Sequence, residues 1–321
     1  MKKIIVLSFI LATAFSCKGK KQERESITIT TEEVADIVHY LASDELKGRN
    51  TGTDGIDKAA AYIEKQLKSY GVNPYFDMFL DEFKFKARAE DSIKGYNIVG
   101  YIEGNDEKLK KEFIVIGAHY DHIGFGKPVE NDSIANGAND NATGTSAVMT
   151  IAKYFATKKS NKRSVIFALF SAEEMGLRGS DHFAKRLKSQ NIDLYTMINF
   201  EMLGVPFKER DYEVFLTGFD KSNFASKFNE YQGSNIIGFS EVSKQYNLFK
   251  RSDNYAFFQE FNVPSHTISS CDLTNFDHYH KVGDESGAMN FQFLSNVINS
   301  IIPGIEKMIN TPTKEIILNE E

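Results

Sequence analysis

Two rhythms of apolar positions run along this chain. Short, almost unbroken apolar runs recur at 113–118, 165–170 and 197–200. Runs this short and this apolar suit strands buried on both faces of a parallel sheet. Between them lie segments with the helical repeat. Residues 31–46 start with Thr-x-Glu and place Val34, Ile37, Val38 and Leu41 on one face, which predicts a helix. Residues 54–70 predict a second, closed by Gly71. Further helices are predicted over 141–157, 179–188, 223–231, 253–261 and 289–308. Segment 75–89 alternates aromatic and charged residues around Phe79, Phe83 and Phe85 and reads as a strand or hairpin. Other strands are predicted over 95–103, 112–119, 194–202, 212–217 and 263–269. Strands alternating with helices predict an α/β fold: a single three-layer domain with a mixed, largely parallel sheet and helices on both faces. No repeat or linker divides it, so the domain is placed at 27–310, followed by a C-terminal tail at 311–321.

The first residues follow a different logic. Met1-Lys2-Lys3 is positively charged, residues 4–15 are apolar, and Ser16-Cys17 follows. That is a signal peptide, too short to span a bilayer as a helix. Ala14-Phe15-Ser16-Cys17 resembles the cleavage box of bacterial lipoproteins. On that reading residues 1–16 are removed, Cys17 becomes the lipidated N-terminus, and 17–26 is a flexible tether. The expectation is an exported protein, periplasmic or anchored to the outer membrane, touching the membrane only through its lipid.

An apolar content of 41% and a charged content of 26% are those of an ordinary globular protein. Losing Lys2 and Lys3 with the signal takes the net charge from −6 to −8, and that acidic balance argues against nucleic acid as a partner. With Cys17 lipidated, Cys271 stands alone and no internal disulfide can form. Cys271 reads as a packed thiol rather than a nucleophile.

The chemistry collects just past the strands. The first apolar run ends in His119-Tyr120-Asp121, the second in Ser171-Ala172-Glu173-Glu174, the third in Glu201. A glycine-rich segment, Gly137 to Gly144, carries Asp140 into a predicted helix, and Tyr279-His280 with Asp284 lies near the C-terminal end. Ligands of open α/β sheets bind outside the carboxyl ends of the strands, so these side chains are expected to converge on a two-metal hydrolase site. A neutral imidazole such as His119 is a common zinc ligand, and a nearby carboxylate such as Asp121 fixes its tautomer. Asp140 has two oxygens and can bridge two cations; equally, Asp140 or Asn141 could cap the helix that follows. Adjacent Glu173 and Glu174 point in different directions, so one can bind metal while the other holds a water as general base. His280, with Asp284 as its partner, completes the set, and His278 competes for that role.

These segments, in this order, resemble the co-catalytic zinc aminopeptidases of secreted bacterial type, a family related to glutamate carboxypeptidases and glutaminyl cyclases. The resemblance covers nearly the whole mature chain. It runs from Leu41-Ala-Ser-Asp-Glu-Leu-Lys-Gly-Arg-Asn-Thr-Gly52 through Ala118–Asp121, Gly137–Gly144, Ser171–Ser180, Asn199–Met202 and Ser252–Tyr255 to Tyr279-His280. It implies a zinc-peptidase fold and two zinc ions bridged by Asp140. One ion is completed by His119 and Glu201, the other by Glu174 and His280. Glu173 is then the general base for the water shared by the ions, and peptides are the substrates. A cis peptide between Asp140 and Asn141 is implied as well. The chain departs from many relatives in carrying Glu201 where they carry aspartate. Within the same fold the alternatives are a carboxypeptidase or dipeptidase, and a glutaminyl cyclase, which uses one zinc; outside enzymes, a non-catalytic binding module. The substrate pocket is expected from segments 233–249 and 270–276, with Tyr246, Phe249 and Tyr255 as candidates to shape it.

Overall fold

The computed structural model describes residues 27–86 and 92–320. The expected signal peptide, Cys17 and the tether lie outside the described residues. In chain order come α1 (Thr31–Leu41), α2 (Asp54–Ser69), β1 (Asn73–Pro74), β2 (Leu80–Lys86), β3 (Ser92–Ile102) and β4 (Glu112–His119). A hairpin follows, β5 (Gly124–Val129) and β6 (Asp132–Ala135), then α3 (Gly144–Lys158), β7 (Ser164–Phe170), α4 (Arg178–Ser189) and β8 (Asp193–Phe200). The last third holds β9 (Val214–Leu216), α5 (Phe224–Gln232), β10 (Ile237–Gly238), α6 (Glu241–Gln245), α7 (Asn254–Phe261), β11 (Ser265–Ser269) and α8 (Phe291–Asn310).

Nine strands make one sheet in the order β1-β3-β7-β4-β8-β11-β9-β10, with β2 also paired to β3. Its centre, β7-β4-β8-β11, is parallel, while β3 against β7 and β9 against β11 are antiparallel. The period of two along each central strand divides the core. Ile114 and Ile116 of β4, with Val165, Phe167 and Leu169 of β7, face the larger cluster, built with α1, α2, α3, α5 and α8. Val115, Ile166, Ala168 and Phe170 face the other side, against Phe183 of α4 and Phe257 of α7. Both faces are thus covered, which is why the central strands read as continuous apolar runs. Asp81 on β2 ties the sheet to α4: its carboxylate accepts from Asn97 Nδ2 at 3.1 Å, contacts His182 Nε2 at 3.3 Å and pairs with Arg186.

Three boundaries differ from the sequence reading. The first helix ends at Leu41, and a 3-10 segment, Asp44–Arg49, follows. Gly48 there has φ +66, and a Cβ would stand 2.3 Å from the Gly124 carbonyl oxygen, so only glycine fits both the backbone and the space. The helix expected from 141 starts at Gly144, because Ala138–Thr143 forms a wider turn containing the cis peptide Asp140–Asn141. Residues 311–320, read as a tail, pack on the body. Arg163 Nη1 donates to Thr311 O at 2.6 Å, the Tyr195 hydroxyl accepts from Ile316 N at 2.9 Å, and Ser222 pairs with Leu318.

Candidate metal centre

The parallel strands deliver their acidic and imidazole residues to one end of the sheet. His119 closes β4, Glu173 and Glu174 follow β7, and Glu201 follows β8. Asp140 arrives on the turn before α3 and His280 on the segment before α8. Two groups of donor atoms result, each lying within 4.8 Å: His119, Asp140 and Glu201, and His122, Asp140 and Glu174. Asp140 belongs to both. Its Oδ1 is 3.3 Å from His119 Nε2, and its Oδ2 is 3.2 Å from His280 Nε2. His280 Nε2 is also 3.0 Å from Glu174 Oε2. Nitrogen and oxygen donors around a zinc bound at about 2.0–2.2 Å stand roughly 3.3 Å apart when tetrahedral, and these separations match.

The buried atoms at this point lack partners. His119 Nε2, both ring nitrogens of His122, Asp140 Oδ2, Glu174 Oε1 and Glu201 Oε2 make no hydrogen bond. An unpaired buried polar atom costs about 1–3 kcal/mol, so a protein seldom gathers several in one place without a ligand that uses them. His119 shows the logic. Its Nδ1 donates to the Asp121 backbone carbonyl at 3.2 Å, which leaves Nε2 facing the Asp140 carboxylate. The residues fit divalent metal, with Asp140 common to both donor groups.

Hydrogen bonds around the Asp140 turn hold it in place. Asp284 accepts from the amides of Asn139 at 2.7 Å and Asp140 at 3.0 Å. Asn141 Oδ1 accepts from Gly144 N at 3.0 Å and Met202 N at 3.1 Å, and its Nδ2 donates to Phe200 O at 2.9 Å. Asn141 therefore takes the helix-capping role and leaves the Asp140 carboxylate free, and the same side chain fastens the Asp140 turn to the Glu201 segment. Beneath lies Arg49, fully buried, donating to the carbonyls of Leu41, Tyr120 (2.8 Å), Asn136 (2.5 Å) and Gly137 (2.9 Å).

Two expected partnerships are corrected. Asp284 is not on His280; it binds the amides of the metal turn instead. The carboxylate of Asp121 stands 3.7 Å from His119 Nδ1, accepts from Glu173 N at 3.2 Å and receives the Thr51 hydroxyl at 3.4 Å. Asp121 thus steadies the general-base candidate more directly than the imidazole. His278 is exposed on the surface, so His280 is the histidine that reaches the centre. The longer Glu201 side chain still reaches the first donor group.

The electrostatics separate the acids. Burial alone would raise Asp140, but the contacts with His119 and His280 outweigh it and hold its carboxyl well below the ordinary range. Glu173 is pushed well above, by burial first, with Glu174 and Glu201 adding to it against the pull of His119. Burial likewise lifts Glu201 to about 7 and Asp121 to about 7. Asp140 is thus held ionised, while Glu173 holds a proton readily.

Beside Glu201 a cavity opens, lined by Met202, Phe215, Thr217, Leu248, Cys271 and Tyr279 among others. Of the segments expected to shape it, 233–249 supplies Leu248 and 270–276 supplies Cys271 and Leu273. Phe249 and Tyr255 pack on each other outside it, Tyr246 is exposed, and the tyrosine at the wall is Tyr279, stacked on His280 at 3.9 Å. Burial pushes the Cys271 thiol up to about 12, as suits a packed residue. Sequence reading passed over His122, Thr51 and Arg49. The first was visible only as a second histidine in His119-Tyr-Asp-His122, the others only as members of the 41–52 segment.

A sheet that ends in two donor groups sharing one aspartate defines a candidate metal site on an α/β scaffold. Residues 97–302 match the model of Peptidase family M28, and the chain belongs to that family. Leucine aminopeptidase 2 of Trichophyton rubrum is 28% identical over 173 residues, a match covering 53% of this chain and 32% of that protein. The chain thus spans only about a third of that relative's length. A Zn-dependent exopeptidase of Parabacteroides distasonis shares the fold at a TM-score of 0.67 with 17% identity, covering 89% of this chain and 99% of that one. Porphyromonas gingivalis glutaminyl cyclase superposes at a TM-score of 0.68 with 14% identity, covering 87% and 98%.

Proposed function

We propose that this chain is a zinc-dependent exopeptidase that removes residues from the amino termini of peptides. The observation that carries the reading is the pair of donor groups meeting at Asp140, with Glu173 poised beside them. His119, Asp140 and Glu201 would hold one zinc; Asp140, Glu174 and His280 would hold a second. Bound zinc supplies Lewis acidity toward a peptide carbonyl and lowers the pKa of water. The chain's own part is to move the proton. Glu173 takes it from the attacking water on a side-chain oxygen and returns it to the departing amine nitrogen, a transfer that its raised proton affinity favours. Asp121 keeps the Glu173 backbone in place through its amide. The cavity beside Glu201 receives the first side chain of the substrate. Membership in the family and the name of the Trichophyton relative support peptides as substrates.

A cyclase would convert N-terminal glutamine peptides without consuming water. The presence of both His119 and Glu201 supports two ions and hydrolysis. The test is a panel of free, N-blocked and N-terminal glutamine peptides, with chelator and with added zinc. Chelator-sensitive release of first residues from free peptides only is the expected result. Ring closure of the glutamine peptides without release, or no turnover by zinc-loaded protein, would overturn the proposal. The leader pattern of residues 1–17 supports the further reading that the enzyme works outside the cytoplasm, tethered by lipid on Cys17.

A further inference from the structure

The geometry points to His122 as a direct metal ligand, which makes the two metal positions unequal. This rests on the metal-dependent reading above. His122 is fully buried at the exit of β4, three residues beyond His119. Its Nδ1 stands 2.9 Å from Glu174 Oε1 and 3.8 Å from Asp140 Oδ2. At 2.9 Å a hydrogen bond to Glu174 is expected, yet both Nδ1 and Glu174 Oε1 remain without one. Two unpaired polar atoms this close, with an Asp140 oxygen within 4.8 Å of both, are spaced as ligands of one cation are. Glu174 offers Oε1 to His122 and Oε2 to His280, so the imidazoles approach its two different oxygens. The backbone makes room for this ring. At Gly137, where φ is +62, a Cβ would lie 2.5 Å from His122 Cγ.

Counting His122, the position at Glu174 has four protein residues: His122, Asp140, Glu174 and His280. The position at Glu201 has three: His119, Asp140 and Glu201. A site closed by four protein ligands is of the structural kind, whereas one with three keeps a place for water or substrate. The four-residue position should therefore hold its zinc tightly, and the Glu201 position should exchange.

Calorimetric zinc titration of the metal-freed full chain, with bound zinc counted by elemental analysis, tests this in wild type, His122→Ala and His122→Asn. Asparagine keeps an N–H near the place of Nδ1 and can still donate to Glu174, but it is a poor zinc ligand. Wild type should bind two ions of unequal affinity. Both variants should weaken the tighter ion by more than the about 10–100-fold typical of residues that only orient a ligand, and leave the weaker ion unchanged. Retention of wild-type affinity in His122→Asn would show a hydrogen-bonding residue and overturn the inference. Two unaltered ions in both variants would overturn it too, leaving the exopeptidase reading intact. A wild-type chain that binds no zinc would end both.

Discussion

Replacing Arg49 by methionine isolates what the buried guanidinium does, because methionine keeps most of the stem and removes the charge and donors. The structure sets the scale. Four backbone carbonyls, those of Leu41, Tyr120, Asn136 and Gly137, lose their donor, at about 1–3 kcal/mol for each that stays dry. The surrounding acids lose a cation as well. Arg49 itself is drawn down to about 10 by burial, against the favourable fields of Asp284, Asp121 and Asp140, so relief of its desolvation offsets part of the loss. The net expected destabilisation is about 3–5 kcal/mol, the usual cost of breaking a buried charge network. At about 2 °C per kcal/mol for a chain of this size, the melting temperature should fall by about 6–10 °C. Thermal unfolding followed by circular dichroism in chelator measures this without the contribution of bound metal. Arg49→Lys should fall between, since one ammonium has three donors for four acceptors. A methionine variant melting within about 2 °C of wild type would refute the reasoning and mean that water can satisfy those carbonyls.

Glu173→Gln should keep its zinc and lose turnover by a factor of about 100 or more; near-normal rates in the zinc-loaded variant would remove Glu173 as the proton carrier. Asp81, whose burial is outweighed by His182, Asn97 and Arg186 so that its pKa lies below the ordinary 3.8, stabilises the fold above about pH 4 and ceases to as falling pH protonates it. Asp81→Asn should accordingly cost about 2–3 kcal/mol at pH 7, with a gap to wild type that narrows under acid in denaturant titrations; a pH-independent gap contradicts this. Cys271→Phe, which fills the cavity beside Glu201, should raise KM for bulky first residues more than for alanine, whereas an equal effect on both would separate that cavity from the substrate. Cys17→Ser should release the protein from membranes on fractionation, and unchanged association would count against the lipid anchor.

The sheet was legible because its central strands are buried on both faces, so that 112–119 and 164–170 announce themselves without reference to the rest of the chain. The residues at their ends were legible for the same reason: a glutamate directly after Met197-Ile-Asn-Phe200 has no surface to occupy. What lies past a strand end follows no period. His122 could point anywhere from the sequence alone, and its direction depends on Gly137 and Glu174, 15 and 52 residues further on. Asp284 was read against its sequence neighbour His280 but bonds to amides 144 and 145 residues away. The β5–β6 hairpin was missed because Gly124–Val129 has an exposed burial pattern over most of its length and lacks alternation. The last ten described residues looked like a tail because their one buried apolar residue, Ile316, is buried only through tertiary contacts.

The Asp140 turn is held by Arg49 from below, by Asp284 from one side and by Asn141 from the other, all through protein atoms alone. A turn fixed in that way is expected to keep its shape when zinc is stripped, unlike small zinc domains that unfold. The donor-bearing end of the sheet is then a refillable socket. On the proposed function, zinc scarcity would idle the molecule rather than destroy it, and the same folded chain would resume work when the ion returned.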